Sequence, residues 1–530
     1  MSLLPTRRRR QASNALVSAV LALGFAVVTV PLAAPALASE IIPLPSTGSV
    51  TVYGKGNGHG HGMSQYGAQG AAIAGLTGAQ IVGFYYPGTA LTNLGVTTIR
   101  VLVGGAGSYP TVVEQSGLAL YFSGANHALP STGISRYRLV PSGGGLTLQR
   151  LSSTWADVAG YTALPRQADF NNVSTAVVRL ARTDGQFNDY RGWLGGYNYG
   201  TGVWAINRVN LDQYTQGVVP RESPSSWRSA ALQAQAIAAR SYGRNAVESH
   251  TGSAYDICDT TDCQVYGGLA RLSSGGTRLY GEEPSTNAAT AATANQVLRY
   301  NGATIFAQFS ASNGGWTSYG GFPYLPHKSD PYDNAASGDP YLNWTRSLAV
   351  SAIASWFGLS RATTLEITQR EGGGTWGGRV LQAYIDGYYP SGSPAHLAMS
   401  ISTMQSLFGG GRSNWFDVVP PGGGLPPTTG GTLVGSTATS RQAFWTSPDG
   451  HVTFREWTPS SGWRPALDLG APVTGHVVWD PSAATPGGGH LDLAVRDAGG
   501  HLATRSYSAT SGWTAWRTTA LAMASSPAAV

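Results

Sequence analysis

The stretch that most restricts the fold is residues 217–242, GVVPRESPSSWRSAALQAQAIAARSY. Over 229–239 only Ser229, Gln233 and Gln235 are not apolar. A helix that is apolar on every side has to lie inside the protein, so the rest of the chain must be organised around it. Pro220 and Pro224 interrupt the sequence ahead of it and hold a lone acid, Glu222, between them. The pattern predicts a carboxylate on a stiff loop at the mouth of a buried helix. Such a carboxylate can cap the helix, where the dipole favours it, or it can be an acid fixed in place for chemistry. Gln235 lies inside the apolar run, so its amide needs buried partners.

The chain opens with Arg7 to Arg10, an uncharged apolar run over 15–30 and the small-x-small site Ala36-Leu37-Ala38. This is the pattern of a secretory signal peptide covering 1–38. An uncleaved anchor is the alternative, and the arginines leave a twin-arginine route open. No later apolar run is long enough to span a bilayer, so the expectation is an exported protein with no membrane anchor after cleavage. The formal charge of +6 drops to +2 without the four arginines of the signal. That leaves no basic field and no case for a nucleic-acid partner. Only 11% of residues are charged, against 71 Gly, 15 Trp and 25 Tyr. This style suits a secreted protein that offers flat aromatic faces to sugars, and it suits a loop-rich β protein equally.

The 530 residues exceed one core and set a prior of about three domains. An N-terminal region over 39–200 carries a strand at Val50, Val52 and Tyr53, then the glycine-rich GNGHGHGMSQYG. Ser64 is a plausible cap for a helix running into the alanines that follow, and a second helical piece spans 79–86. From 97 to 201 short apolar runs alternate with turn residues, the mark of a β-rich region. A larger region, 201–419 with its core at 201–330, begins with a strand at 202–210. It also holds a helical segment at 285–295 and a hairpin around Asn301-Gly302. Further helical stretches are expected at 350–357 and 396–408. PPGGGLPPTTGG sits in a linker at 420–435. Beyond it, over 436–530, the sequence repeats at an offset of 50: His451 aligns with His501, Arg455 with Arg505 and Trp463 with Trp513. That period marks arrayed β units, of which about three are needed to bury a core. The module is therefore expected to be truncated or to complete itself by association.

Four places invite chemistry. A Glu with a raised pKa can protonate a leaving oxygen. Hydrolysis of a glycosidic bond would add a second carboxylate, for which Asp212, Glu248, Asp256 and Asp259 are the candidates. His59 and His61 alternate on an extended segment and so face one side. Two His without a third ligand make a weak metal site, and the surrounding glycines allow a close approach to substrate or a plain turn. FSASNGGWT offers the hydroxyls of Ser310, Ser312 and Thr317, either to a sugar or to an ordinary hairpin end. Cys258 and Cys263, five apart in an exported chain, more often pair than stay free. Zinc with His250 is the other reading, at a spacing that is not a zinc signature.

GVVPRESPSSWRSAALQAQAIAARSY, YDICDTTDCQVYGG and FAQFSASNGGWT, in that order, resemble the stage II sporulation protein D (SpoIID/LytB) domain family over roughly 200–330. GHGHGMSQYGAQGAA resembles a further motif of the family, here placed ahead of the core. The resemblance implies an exported α+β protein with a SpoIID-like core, β-rich flanks and a small all-β repeat module. It implies cleavage of peptidoglycan glycan strands between N-acetylmuramic acid and N-acetylglucosamine by lytic transglycosylation, with Glu222 as acid and base. In that reaction the muramic 6-hydroxyl attacks C1, so one carboxyl suffices. On this reading His59, His61, Gln65, Tyr66, Ser310, Ser312 and Thr317 contact substrate, and Gln235 and Arg240 support the site from the helix. The family's other branch enhances a cell-wall amidase without cutting glycan, which makes that amidase a further candidate partner. Some members carry zinc near the cysteine loop. The His often found before the second Cys is Asp262 here, so no metal or cofactor is expected, and Cys258 and Cys263 are expected as a disulfide. Ser223 replaces the usual small or apolar residue after the Glu. The C-terminal repeats resemble lectin-like propeller units, which implies attachment to carbohydrate; a purely adhesive wall protein is the third reading.

Overall fold

The alanine-rich run folds as expected into a long buried helix, and three apolar clusters meet on it. The structure, a computed structural model, describes residues 40–523 apart from 106, 108, 420–431, 438–439, 447–450, 459–461, 465–466, 473–476, 478–480, 488–489 and 498. The signal segment at 1–38 and most of the 420–435 linker lie outside the described residues. Strands dominate and helices are few. In chain order the helices used below are α1 (Gln65–Ile73), α2 (Gly78–Tyr85), α3 (Leu211–Glu222), α4 (Ser229–Ser249) and α5 (Pro284–Ala292).

Residues 234–241 of α4 are buried without a break. Ala234, Ile237 and Ala238 pack with α1 and α2. Leu232 and Ala236 meet Val219 of α3 and Ala289 of α5. Ala239 and Ala246 join the apolar side of the large sheets. Small side chains let the neighbouring helices come close, and burial on all sides replaces the stabilising stripe of an ordinary amphipathic helix.

Helix α3 departs from the expectation. Asn210 caps it, its side chain accepting the N–H groups of Asp212 and Gln213. Its buried Leu211, Tyr214 and Val218 recur at helical spacing. Pro220 lies inside this helix rather than ending it. Glu222 is therefore the last residue of α3, not part of a loop between two prolines. The N-cap of α4 is Arg228, without a side-chain cap, so Glu222 does not cap α4.

Two antiparallel-rich sheets enclose the largest core. One has the order 257–258, 98–102, 203–210, 193–198, 167–172, 118–122, 125–128. The other runs 155–157, 145–151, 136–142, 111–113, 177–181, 187–191, 270–272, 278–281. Ile99, Val101 and Phe170 from the first meet Leu139, Leu148 and Leu180 from the second, the interlocking of two facing sheets. A boundary at residue 200 cuts the first sheet, because 98–102 lies between 203–210 and 257–258. The N-terminal strands are interleaved in the same way. Ser49–Gly54 pairs with both Trp344–Ala349 and Phe416–Val419, and Glu40–Pro43 edges the sheet begun by Arg361–Arg370.

The Asn301-Gly302 hairpin forms with both residues at positive φ, 49° and 81°, as a two-residue turn of this type requires. The strand after it stops at Thr304. The expected helix at 396–408 is replaced by a strand, Pro394–Ala398, and then by short helical turns through Phe408. His396 is held there across the sheet by Asp386 at 2.7 Å. In the repeats, each unit forms a five-stranded sheet with the same pairing. Phe444 and Val452 of the first share one core with Leu491, Leu493 and Val495 of the second. Among the described residues no helix is long and apolar enough to cross a membrane.

Arg240 is 1% exposed and ties the helices together. Its Nε donates to Asp212 of α3 at 2.6 Å, and its terminal nitrogens reach the Thr290 and Gln296 carbonyls. Arg240→Ala would leave those groups unpaired, and we expect a loss of about 3–5 kcal/mol, measured as a lowered denaturant midpoint. Arg240→Lys should recover little of it, because one ammonium cannot span the same acceptors.

Candidate active site

Glu222 ends α3 with its carboxylate held from two sides. Val265 N–H donates to Oε1 at 2.9 Å, and Gln65 Nε2 donates to Oε2 at 3.1 Å. The side chain is half-buried. Burial pushes its pKa above the ordinary 4.5, while the Val265 and Gln65 hydrogen bonds and the Arg221 charge pull the other way. Its place at the carbonyl end of a helix also disfavours a negative charge. Among the described residues no carboxylate is one of the groups acting on it.

Both donors are rigidly placed. Gln264 and Tyr266 flank Val265 and are anchored, Gln264 by the Tyr214 hydroxyl at 2.9 Å and Tyr266 to Asn207 at 2.7 Å. The Gly217 carbonyl takes the Gly267 N–H at 3.1 Å. A Cβ at Gly217 would sit 2.6 Å from the Tyr266 ring, so glycine lets α3 lie against this segment. Just upstream, Cys258 and Cys263 form a disulfide with Cα atoms 5.6 Å apart. Gln65 opens α1, whose N-cap Ser64 accepts the Gly67 N–H at 3.0 Å and donates to Asp333 at 2.9 Å.

The GNGHGHG stretch and the 309–318 stretch come together although about 250 residues separate them. Met63–Ser64 runs parallel to Phe309–Ser310. Gly60 N–H donates to Ser310 Oγ at 3.2 Å, and Ser318 N–H donates to Gly60 O at 2.9 Å. Gly56, Gly58, Gly60 and Gly62 all have positive φ, from 65° to 98°, which explains glycine at every second position. A Cβ at Gly60 would overlap the guanidinium of Arg379, a fully buried residue that no motif in the sequence singles out. The close approach that the glycines allow is thus to Arg379 at Gly60, to Ser310 at Gly58 and to the Gln308 carbonyl at Gly62. The rings of His59 and His61 lie 4.6 Å apart. Burial, followed by each other's charge and that of Arg379, brings His59 down to about 3; burial and Arg379 lower His61 as well. Both are neutral at physiological pH.

The three hydroxyls are buried and engaged within the protein. Ser310 accepts Gly60, and Thr317 donates to Pro326 O at 2.6 Å. Ser312 Oγ lies 2.6 Å from Asp339 and 3.1 Å from Asp333. Burial and then Asp339 push the Asp333 carboxyl up to about 7. Tyr66 is half-buried and meets Trp227 and Tyr341 edge-on, with ring centroids 5.1 and 6.1 Å apart. Trp227 follows Glu222 by five residues, a signal available in the sequence; nothing local points to Tyr341. Gln235 is 1% exposed and neither amide atom has a partner among the described residues. Arg240 spends its guanidinium on α3 and the end of α5, away from Glu222. Of the four candidate second acids, Asp212 pairs with Arg240, Glu248 with Arg244 and Asp256 with Arg100, and Asp259 takes the Gly104 N–H at 2.9 Å. Elsewhere, Glu366, Asp386 and His396 bring potential metal-ligand atoms within 4.8 Å of one another on the 361–398 sheet.

Residues 199–300 match the family model for SpoIID, stage II sporulation protein, and the chain carries a domain of that family. It is 34% identical over 177 residues to the amidase enhancer of Bacillus subtilis, covering 30% of this chain and 22% of that one. It is 33% identical over 150 residues to stage II sporulation protein D of the same organism, covering 26% and 43%. It thus spans less than half the length of either relative. The Aleuria aurantia lectin aligns with 79% of this chain at 8% identity and a TM-score of 0.17, too low to bear on the repeats.

Because the folded protein raises the pKa of Glu222, its charged form weakens the fold as pH rises through that value and costs nothing below the unfolded value. Glu222→Gln should therefore melt above wild type at about pH 8 and match it at about pH 4. A calorimetric scan at both pH values checks this; an equal gain at both would contradict it.

Proposed function

We propose that the protein cleaves peptidoglycan glycan strands outside the cell by lytic transglycosylation, with Glu222 as the single acid and base. The observation that carries this reading is one carboxyl with a raised pKa, held by two donors and, among the described residues, with no second carboxylate acting on it. A hydrolase of the usual kind would place another acid opposite to activate water or form a covalent intermediate.

In the proposed reaction the protonated Glu222 gives its proton to the oxygen leaving from muramic C1, and the C1–O bond breaks. The resulting carboxylate takes the proton of the same sugar's 6-hydroxyl as O6 bonds to C1. The products are a 1,6-anhydro-muramic end and a free 4-hydroxyl, with no water consumed and Glu222 protonated again. Burial serves the first step by keeping the carboxyl protonated closer to neutral pH. Val265 and Gln65 serve the second by stabilising the carboxylate that forms. Tyr66, next to Gln65 in the chain, and the Trp227 and Tyr341 rings against it offer faces and edges to neighbouring sugars.

Mass spectrometry of purified glycan strands tests the reading. Wild type should release anhydro-muramyl products, and Glu222→Gln should release them about 10²–10⁴-fold more slowly; equal release would refute the assignment. Gln65→Leu removes a donor that favours the charged carboxylate, so its alkaline activity limb should move to higher pH. The second reading, a modifier that stimulates an amidase, rests on the similarity to the amidase enhancer. It is favoured if wild type releases no anhydro products yet accelerates a wall amidase on intact sacculi.

A further inference from the structure

A cleft of about 260 Å³ adjoins Glu222 and is not used by the reaction above. Two of its lining residues connect it to the acid: Arg221 precedes Glu222 in α3, and Val265 holds Oε1. Arg182 and Arg271 line it as well, so three guanidinium groups converge from three elements. Arg271 pairs with Asp184 at 2.6 Å and Arg182 with the same carboxylate at 3.4 Å. Asp259 is the second acid, its carboxylate taken up by Gly104 N–H. With Glu222 protonated, or replaced by Gln, three arginines against two aspartates leave one positive charge over.

That charge is best placed on Arg221. It makes no ion pair among the described residues and lies 4.0 Å over the Tyr280 ring, which also lines the cleft. A stacked guanidinium keeps its in-plane N–H fork free for a carboxylate. Asn188 supplies an independent sign of a ligand. It is 4% exposed and lines the cleft; its Nδ2 donates to Tyr190 at 3.1 Å, but its buried Oδ1 has no partner among the described residues. A buried acceptor left without a donor requires an explanation. The volume falls below the roughly 300–1,000 Å³ of pockets that enclose whole ligands, so it suits a substituent of the substrate and not a disaccharide.

We propose that this cleft binds a single carboxylate carried by the glycan, received by Arg221, with a neighbouring N–H or hydroxyl given to Asn188 Oδ1. Resting on the reading of Glu222 above, the group is the lactyl branch of the muramic residue. Its carboxylate is either free or, when the branch is amide-linked, supplied by the attached amino acids. Both sources present the same chemistry, and a glycan of N-acetylglucosamine alone lacks it.

Calorimetric titration of the full-length Glu222→Gln protein separates these cases. The probes are N-acetylmuramic acid, N-acetylmuramoyl-L-alanyl-D-isoglutamine and N-acetylglucosamine. Binding of either muramic probe at a concentration where N-acetylglucosamine shows none is expected, and the probe that binds identifies the source. Adding Arg221→Ala should weaken it about 10–100-fold, with Arg221→Lys in between. Asn188→Leu, which removes the unpartnered acceptor, should also weaken it. Equal binding of all three probes, binding of none, or an affinity indifferent to Arg221 overturns the proposal. If it falls while wild type still releases anhydro products, the role of Glu222 stands. Selective muramic binding without product release has the opposite meaning: the cleft keeps its ligand and Glu222 loses its catalytic role.

Discussion

Burial of residues 234–241 of α4 on every face is the constraint from which the rest follows. A helix with no solvent side must be covered by other segments, and here they come from far apart in the chain: α1 and α2 from the N-terminal side, α3 just before it and α5 after it. Arg240 fastens two of those neighbours from inside the core. Because α1 and α3 are packed against the same helix, Gln65 and Glu222 meet across 157 residues of sequence. The geometry at the carboxylate is a consequence of that packing.

Several polar groups of α3, α4 and the loop that holds Ser64 are not arranged for greatest stability. Glu222 carries a carboxyl into a half-buried position at the unfavourable end of a helix. Gln235 keeps both amide atoms without partners, and Asp333 shares a buried space with Asp339. Each weakens the fold, and their presence on the elements that build the site fits the trade between activity and stability at working sites. The large apolar clusters elsewhere supply the margin that tolerates them.

Much of this is legible wherever local physics decides. The alanine run dictates a buried helix, Ser64 announces α1, and Asn301-Gly302 forms the hairpin. Helix α3 is hidden because Pro220 reads as a stop, although the Asn210 cap and the spacing of Leu211, Tyr214 and Val218 are present. The His396 segment becomes a strand because Asp386 and the neighbouring strand hold it there, a partner no local pattern reveals. At the site, Glu222 and Gln65 stand in recognisable motifs. Arg379, Asp333 and Tyr341 do not, since their importance arises only when the glycine loop closes on them. The hydroxyls of Ser310, Ser312 and Thr317 are visible as residues but not as spent, because their partners are remote.

The interleaved strands have a bearing on how the chain becomes a protein. Ser49–Gly54 is a central strand whose two neighbours are Trp344–Ala349 and Phe416–Val419. A polypeptide appears from its N-terminus, so this strand waits for nearly the whole of the first 419 residues before both edges are satisfied. Pairings across such distances make assembly slow and leave open edges in the meantime. The glycine loop has its own distant partner, the 309–318 stretch, and α1 with Gln65 packs against α4. A chain made only as far as Glu222 therefore holds the acid before Val265, one of its two donors, has been added.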